Sequence, residues 1–223
     1  MHAVILAAGC GSRMGDSTAD IPKAFLEIHG RTLFDRQRTA LRDRVDGLTI
    51  VLGYQYENIV DDLTAVEAIV LEQWEEYENA ESLRCALERI NDDVLVLNGD
   101  VVVAPSVLDR LLRRYAALNG RYNVVVCLPG IQNDHTAIQC DETGTVIGYG
   151  MIPGYRHAGV GIVSQRYRHE AMDFLAQNQT EWYPHIYHKL PTKGLFISPT
   201  SHIEINRPKD LRVAHDRMPS LEY

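Results

Sequence analysis

At 223 residues, 45% of them apolar and 23% charged, the chain is long enough to bury one substantial core without disulfide or metal staples. A formal net charge of -8 argues against a general nucleic-acid-binding surface, and Cys10, Cys85, Cys127 and Cys140 show no C-x-x-C spacing, which argues against a zinc finger or a disulfide framework. No apolar run reaches membrane-spanning length and an apolar strand begins at the second residue, so the expectation is a single domain over residues 1–223, soluble, cytoplasmic and without a targeting segment.

The apolar run 2–6 reads as a strand that leads into Leu6-Ala7-Ala8-Gly9-Cys10-Gly11-Ser12-Arg13-Met14-Gly15. Glycines at 9, 11 and 15 let backbone N–H groups approach a ligand and converge on an anion. Arg13 inside this loop and Lys23 beyond it supply two fixed positive charges suited to a polyphosphate, and no other lysine occurs before Lys189. A P-loop does not fit, because Lys23 follows Pro22 with no hydroxyl residue after it. A dinucleotide fingerprint fails as well, because Met14 stands where a third glycine belongs. Apolar runs at 49–52, 68–71 and 94–97 read as strands covered on both faces, and the stretches 33–41, 57–63 and 80–90 carry helical spacing. Such alternation implies a parallel sheet with right-handed crossovers. Asp100 follows the strand at 94–98 and Gly99, at the carboxyl edge where ligands of open α/β sheets bind. It reads as a hard oxygen ligand for magnesium, or as a cap for the helix that follows. A helix at 107–118 and a strand at 124–128 come next. Segments 136–140 and 146–149 flank a turn signal and predict a hairpin on the substrate side. A strand at 158–164, helices at 168–177 and 183–190, a strand at 195–198 and a helix at 207–216 complete the pattern. The fold class expected is three-layer α/β, with a mostly parallel mixed sheet and a small hairpin.

Leu-Ala-Ala-Gly-x-Gly-x-Arg-Met at 6–14, Pro-Lys-x-Phe-Leu at 22–26 and Gly-Arg-Thr-Leu at 30–33 are joined by Gly53-Tyr54, Asn79 with Ser82-Leu83, Asn98-Gly99-Asp100 and the segment from Glu204 to Leu211. Together they resemble the nucleotidyltransferases that join a nucleoside triphosphate to a sugar phosphate or alcohol phosphate, a family with a Rossmann-like fold. Within it the short length and Asn-x-x-Ser-Leu look more like the phosphocholine and inositol-phosphate cytidylyltransferases. The resemblance implies transfer of a nucleoside monophosphate from CTP, favoured over UTP, to a small phosphorylated or phosphonate acceptor, with Mg2+ as cofactor and pyrophosphate as product. It implies that Arg13 and Lys23 bind the triphosphate and stabilise charge on the transferring phosphorus. Leu6, Ala7, Ala8, Gly9, Gly11 and Ser12 then contact the nucleotide with Asn79 and Ser82, where the other reading of Asn79 is a helix cap. Asp100 and Glu204 become the metal ligands. Relatives commonly have an acidic residue where Asn206 stands, so Glu204 binds metal alone, Asn206 adds a neutral oxygen, or water fills the place.

In nucleotidyl transfer an acceptor oxygen attacks the α-phosphorus in line, anion against anion, so cations must be fixed in advance. A phosphate monoester with a second pKa near roughly 6 is already ionised at neutral pH and needs no general base. His29, His135, His157, His185 and His188 accordingly show no nucleophile at a recognisable spacing. Tyr149, Tyr155, Trp182, Tyr183 and Tyr187, with Glu181, could cage a quaternary ammonium by cation–π attraction, or form core or a homodimer face. The Gly-Lys pair that the family often uses for the acceptor phosphate is absent from Gly148-Tyr149-Gly150, which leaves Arg156 or Arg121 as substitutes. Competing readings are a uridylyltransferase for sugar 1-phosphates, guanylyl transfer to a molybdenum cofactor, cytidylyl transfer to a methylerythritol phosphate, and a non-catalytic nucleotide-binding regulator.

Overall fold

The computed structural model describes residues 1–59, 63–64, 66–130 and 136–221. In chain order the strands are β1 (His2–Ala7), β2 (Glu27–Ile28), β3 (Arg31–Thr32), β4 (Gly47–Leu52), β5 (Glu67–Val70), β6 (Val94–Asn98), β7 (Val101–Val103), β8 (Asn123–Leu128), β9 (Ala137–Cys140), β10 (Val146–Gly150), β11 (Tyr155–Val163), β12 (Thr192–Phe196) and β13 (His202–Glu204). The helices are α1 (Leu33–Leu41), α2 (Asn79–Arg89), α3 (Pro105–Ala117), α4 (Arg168–Ala176), α5 (Ile186–Lys189) and α6 (Pro208–Leu221).

Strand alternation decides the layering. Ala3 and Ile5 of β1 enter one core with Leu33, Leu108 and Met218 of α1, α3 and α6, whereas Val4 and Leu6 enter the other with Leu83, Leu175 and Ile186 of α2, α4 and α5. A β-strand buried on both faces must be apolar throughout, which is why its run is continuous. Between the two helical layers lies a sheet with the order β10-β9-β11-β6-β1-β4-β5, and β8 lies along β11 with β12 beyond it. The pairings β6–β1–β4–β5 and β8–β12 are parallel, and β10 and β11 run against the rest. The three-layer, mostly parallel mixed sheet expected from the sequence is thus present, as is the β9–β10 hairpin.

Several elements differ from expectation. The helix expected at 57–63 is a single 3-10 turn at Tyr56–Asn58, and residues 60–62 lie outside the described set. The strand expected at 195–198 runs earlier, because Thr192 to Phe196 pair in parallel with Asn123 to Cys127. Strands β7 and β13 were not expected as strands. They pair antiparallel with Glu204 opposite Val101. The last helix extends to Leu221 although Pro219 lies inside it. Pro219 has no N–H for the carbonyl of His215, four residues back, and the ring of His29 donates to that oxygen at 2.8 Å.

No helix among the described residues is long and apolar enough to cross a membrane.

Candidate active site

Because β6, β1, β4 and β5 are parallel, their carboxyl ends share one edge, and the loops that follow them wall a cleft of about 290 Å³. Leu6, Ala7, Ala8, Gly9, Gly11, Ser12, Arg13, Lys23, Asn79, Ser82, Asp100 and Asn206 all line it. A second lobe of about 420 Å³ shares Ser12, Arg13, Lys23, Asn79, Asp100 and Asn206 with the first, and adds Glu204, Tyr149, Arg156, His157 and Trp182.

The glycine loop turns through left-handed backbone at Gly11 (φ 61°) and at Gly15 (φ 58°), where a side chain would be strained. Ser12–Thr18 forms 3-10 turns interrupted at Gly15, and buried Met14 anchors the loop in the core. Arg13 therefore stays exposed at the neck between the lobes while its neighbour is fixed.

Lys23 starts a 3-10 turn after Pro22 and points its Nζ at Asp100 Oδ2, 2.6 Å away, with both side chains about 15% exposed. Asp100 stands on the two-residue turn between β6 and β7. Gly99 makes that turn possible: its N–H donates to Leu6 O at 2.8 Å, and a Cβ there would sit 3.0 Å from that oxygen and from the Ala7 and Ala24 methyls. Buried Gln37 of α1 donates from Nε2 to the carbonyls of Asn98 (2.8 Å) and Val101 (2.6 Å), clamping the turn from below. The cap of α3 is Ala104, so Asp100 is not its cap.

The β7–β13 register brings Glu204 beside Asp100, and Ile205 N–H donates to Asp100 O at 3.0 Å. Asn206 then bridges the charges. Its Oδ1 accepts from Arg13 and Lys23, each at 3.2 Å, and its Nδ2 donates to Glu204 Oε1 at 2.8 Å. Burial, reinforced by the Asp100 charge, raises the Glu204 carboxyl above the usual carboxylate range. Asp100 Oδ1 is buried with no hydrogen-bond partner.

Asn79 does not cap α2, a position that Glu78 holds. Its Oδ1 instead accepts from the backbone N–H of Tyr183 at 2.8 Å and ties the 182–185 turn to the cleft. Of the aromatic set, only Tyr149 and Trp182 line the second lobe. Tyr183 and Tyr187 are fully buried in the core, and Tyr155 packs against Phe196 with the rings tilted at 55° and their centroids 4.4 Å apart. Glu181 is not a wall of either lobe, because its side chain is exposed while its carbonyl accepts from Ala80 N–H at the start of α2. The carboxylate that does face the cleft is Glu78, hydrogen-bonded to Trp182. Arg156 lines the second lobe with its Nε buried and unpartnered, whereas Arg121 lies exposed just before β8, at the opposite edge of the sheet. His157 lines the lobe and is held down to about 3 by burial and nearby His202. His135 lies outside the described residues.

Sequence reasoning missed Leu71, Trp74, Tyr77 and Glu78 as walls of the first lobe. The available signal was two aromatics set among acidic residues between a strand and a helix, where a plain surface loop would carry neither.

Comparison with known proteins bears on the fold and the family. The choline-phosphate cytidylyltransferase of Haemophilus influenzae is 36% identical over 46% of this chain and 45% of its own. The CMP-5'-(3-aminopropyl)phosphonate synthase of Streptomyces rubellomurinus is 30% identical over 71% of this chain and 26% of its own. The chain spans less than half the length of these curated relatives. The solved CTP:phosphocholine cytidylyltransferase of Streptococcus pneumoniae superposes with a TM-score of 0.79, covering 97% of this chain and 98% of its own at 17% identity, which shows a shared fold. The family model for the MobA-like NTP transferase domain matches residues 3–189, and over that span the chain belongs to this family.

Proposed function

We propose that the protein transfers a nucleoside monophosphate, CMP in preference to UMP, from the triphosphate to a small phosphorylated or phosphonate acceptor, releasing pyrophosphate. The observation that carries this reading is the convergence of Arg13, Lys23, Asp100, Glu204 and Asn206 from four separated stretches of chain at the neck between two lobes. A triphosphate in the first lobe and an acceptor anion in the second would meet at that neck. Arg13 and Lys23 reach it with three hydrogen bonds that hold them before any ligand arrives, so little reorganisation opposes charge stabilisation. A dianionic acceptor needs no proton removed, and His157 on the lobe wall, held down to about 3, is too weak a base to serve at neutral pH.

Magnesium fits the donor set. Asp100 Oδ1 is an orphaned buried carboxylate oxygen, and Glu204 is a second carboxylate that a cation would relieve of its unfavourable burial. Two carboxylates, with the remaining positions left to phosphate oxygens and water, are the usual provision for magnesium bound with a polyphosphate. The ion would neutralise phosphate charge.

The second lobe supports an acceptor with an anionic end. Arg156 supplies the cation there, and Tyr149, Trp182 and Glu78 offer an aromatic and acidic corner for a positively charged tail. One named relative is a choline-phosphate cytidylyltransferase and the other a synthase of CMP-5'-(3-aminopropyl)phosphonate, and both names contain a group with an anionic end and a cationic nitrogen.

Pyrophosphate release would be measured with CTP, UTP and GTP against choline phosphate, aminoalkylphosphonates and sugar 1-phosphates. Turnover is expected with CTP and a zwitterionic acceptor, falling about a hundred- to a thousandfold in Lys23→Ala and in Arg13→Ala. Wild-type rates in both variants would refute the assignment.

A further inference from the structure

The first lobe is lined by Ser12, Arg13 and Lys23 from the glycine loop and the turn after it, and by Leu71, Trp74 and Tyr77 from the segment between β5 and α2. We propose that Trp74 is the stacking wall for the nucleobase, a role that rests on the nucleotidyl-transfer reading and deepens it. Trp74 stands in the turns between β5 and α2, which cross the carboxyl edge of the sheet. Its position is built rather than incidental. A Cβ on Gly53 would lie 2.6 Å from Trp74 Cβ and 2.7 Å from Ala8 O, so the absence of that side chain is what seats the tryptophan against the strand ends. The Tyr54 ring meets the indole edge-on at 5.3 Å between centroids. Tyr54 in turn donates its hydroxyl to Ala19 O at 2.6 Å, beyond the glycine loop, and its backbone N–H donates to Ala8 O at 2.9 Å. The indole is thereby fixed from two sides while it lines the cleft. With the triphosphate at Arg13 and Lys23, the remaining part of a nucleotide in this lobe is the ribose and base, and the surface awaiting them is aromatic.

Stacking recognises a π-face and is tolerant of base identity, so Trp74 supplies affinity, and discrimination between bases falls to hydrogen-bonding groups such as Asn79 and Ser82. The chain has two tryptophans, one in each lobe, which makes the proposal readable by fluorescence. In a Trp182→Phe background, the emission of Trp74 should be quenched saturably by CTP and by CMP, and not by inorganic tripolyphosphate. By titration calorimetry, Trp74→Ala should raise the Kd for CTP and for UTP alike by about tenfold, the size of a base–aromatic contact. Tripolyphosphate should bind the variant as it binds wild type, and Trp74→Phe should recover most of the CTP affinity. Unchanged CTP affinity in Trp74→Ala would overturn the proposal, as would an equal loss of tripolyphosphate binding, which would mark a general distortion of the lobe. Quenching of Trp74 by CTP in the Trp182→Phe protein, with no pyrophosphate released by wild type with any acceptor, would instead refute the catalytic reading and leave the stacking wall standing.

Discussion

Glu204 shows how a functional side chain is held at a cost to the fold. Its carboxylate is buried beside the Asp100 carboxylate, and the favourable partners within reach are Asn206, Arg156 and Lys23. An ionised group in that position opposes folding until a cation joins it, since burial and a like charge both disfavour the charged form. Glu204→Gln keeps an oxygen able to accept from Asn206 Nδ2 and removes the charge. The variant is therefore expected to melt about 2–4 °C higher than wild type in metal-free buffer at pH 7.5, the shift that roughly 1 kcal/mol produces in a chain of this size. Differential scanning calorimetry would measure it. A lower midpoint would show that Glu204 is instead stabilised by its cationic neighbours.

At the scale of elements, the position of Asp100 depends on α1 as much as on its own turn. Gln37 is 2% exposed and closes two carbonyls of the β6–β7 turn with one amide. Gln37→Leu preserves apolar volume while leaving those oxygens without that donor, at a cost of about 1–3 kcal/mol. The expected outcome is a lower thermal midpoint together with a fall in kcat that exceeds any rise in KM for CTP, because the displaced group acts at the neck rather than on the base. A variant with full kcat would mean that Gly99 and the β7–β13 pairing hold the turn unaided. This dependence also explains what could be read in advance. The strands β1, β4, β6 and β8 announce themselves as continuous apolar runs, and α1 was legible at 33–41 from its helical spacing, with Thr32, which accepts from Asp35 N–H, found capping it in the structure. The glycine loop, Lys23 and Asp100 were legible from residue type and strand position. Strands β7 and β13 were not, since each is three residues long and their partners are about a hundred residues apart, a pairing that no local pattern encodes. The same holds for the sorting of the aromatics. Tyr183, Tyr187, Tyr149 and Trp182 look alike in sequence, and tertiary packing, which joins the 182–185 turn to Asn79 and lays it against β10, puts the first two in the core and the last two on the cleft.

On the scale of the whole molecule, the cleft draws on residues from Leu6 to Asn206, so both cores must be intact for it to exist. Where β11 approaches β13, two histidines are held in their neutral forms, His202 in the core and His157 on the wall of the second lobe. Burial, with His202 nearby, holds His157 down to about 3. Burial and the Arg156 charge hold His202 at about 4, opposed by its hydrogen bond to Ala158 O and by the Asp100 charge. The His202 ring donates from Nε2 to that carbonyl at 3.0 Å, and the Gly159 N–H donates to Nδ1 of His157 at 3.3 Å, a bond that requires this nitrogen to be unprotonated. In the unfolded chain the same rings titrate near roughly 6.5. Below that pH the unfolded state takes up protons that the folded state refuses, so stability must fall as the pH drops from the unfolded value toward the folded ones. Each histidine adds a slope approaching about 1.4 kcal/mol per pH unit within that window. Urea unfolding at pH 7.5, 6.0 and 5.0 should show the midpoint falling with an unchanged m-value. His157→Gln, which cannot titrate, should fall less steeply over the same range. Parallel pH profiles for wild type and variant would mean that the ring of His157 stays neutral in both states, or is wetted in the fold, and would remove it as a source of acid lability.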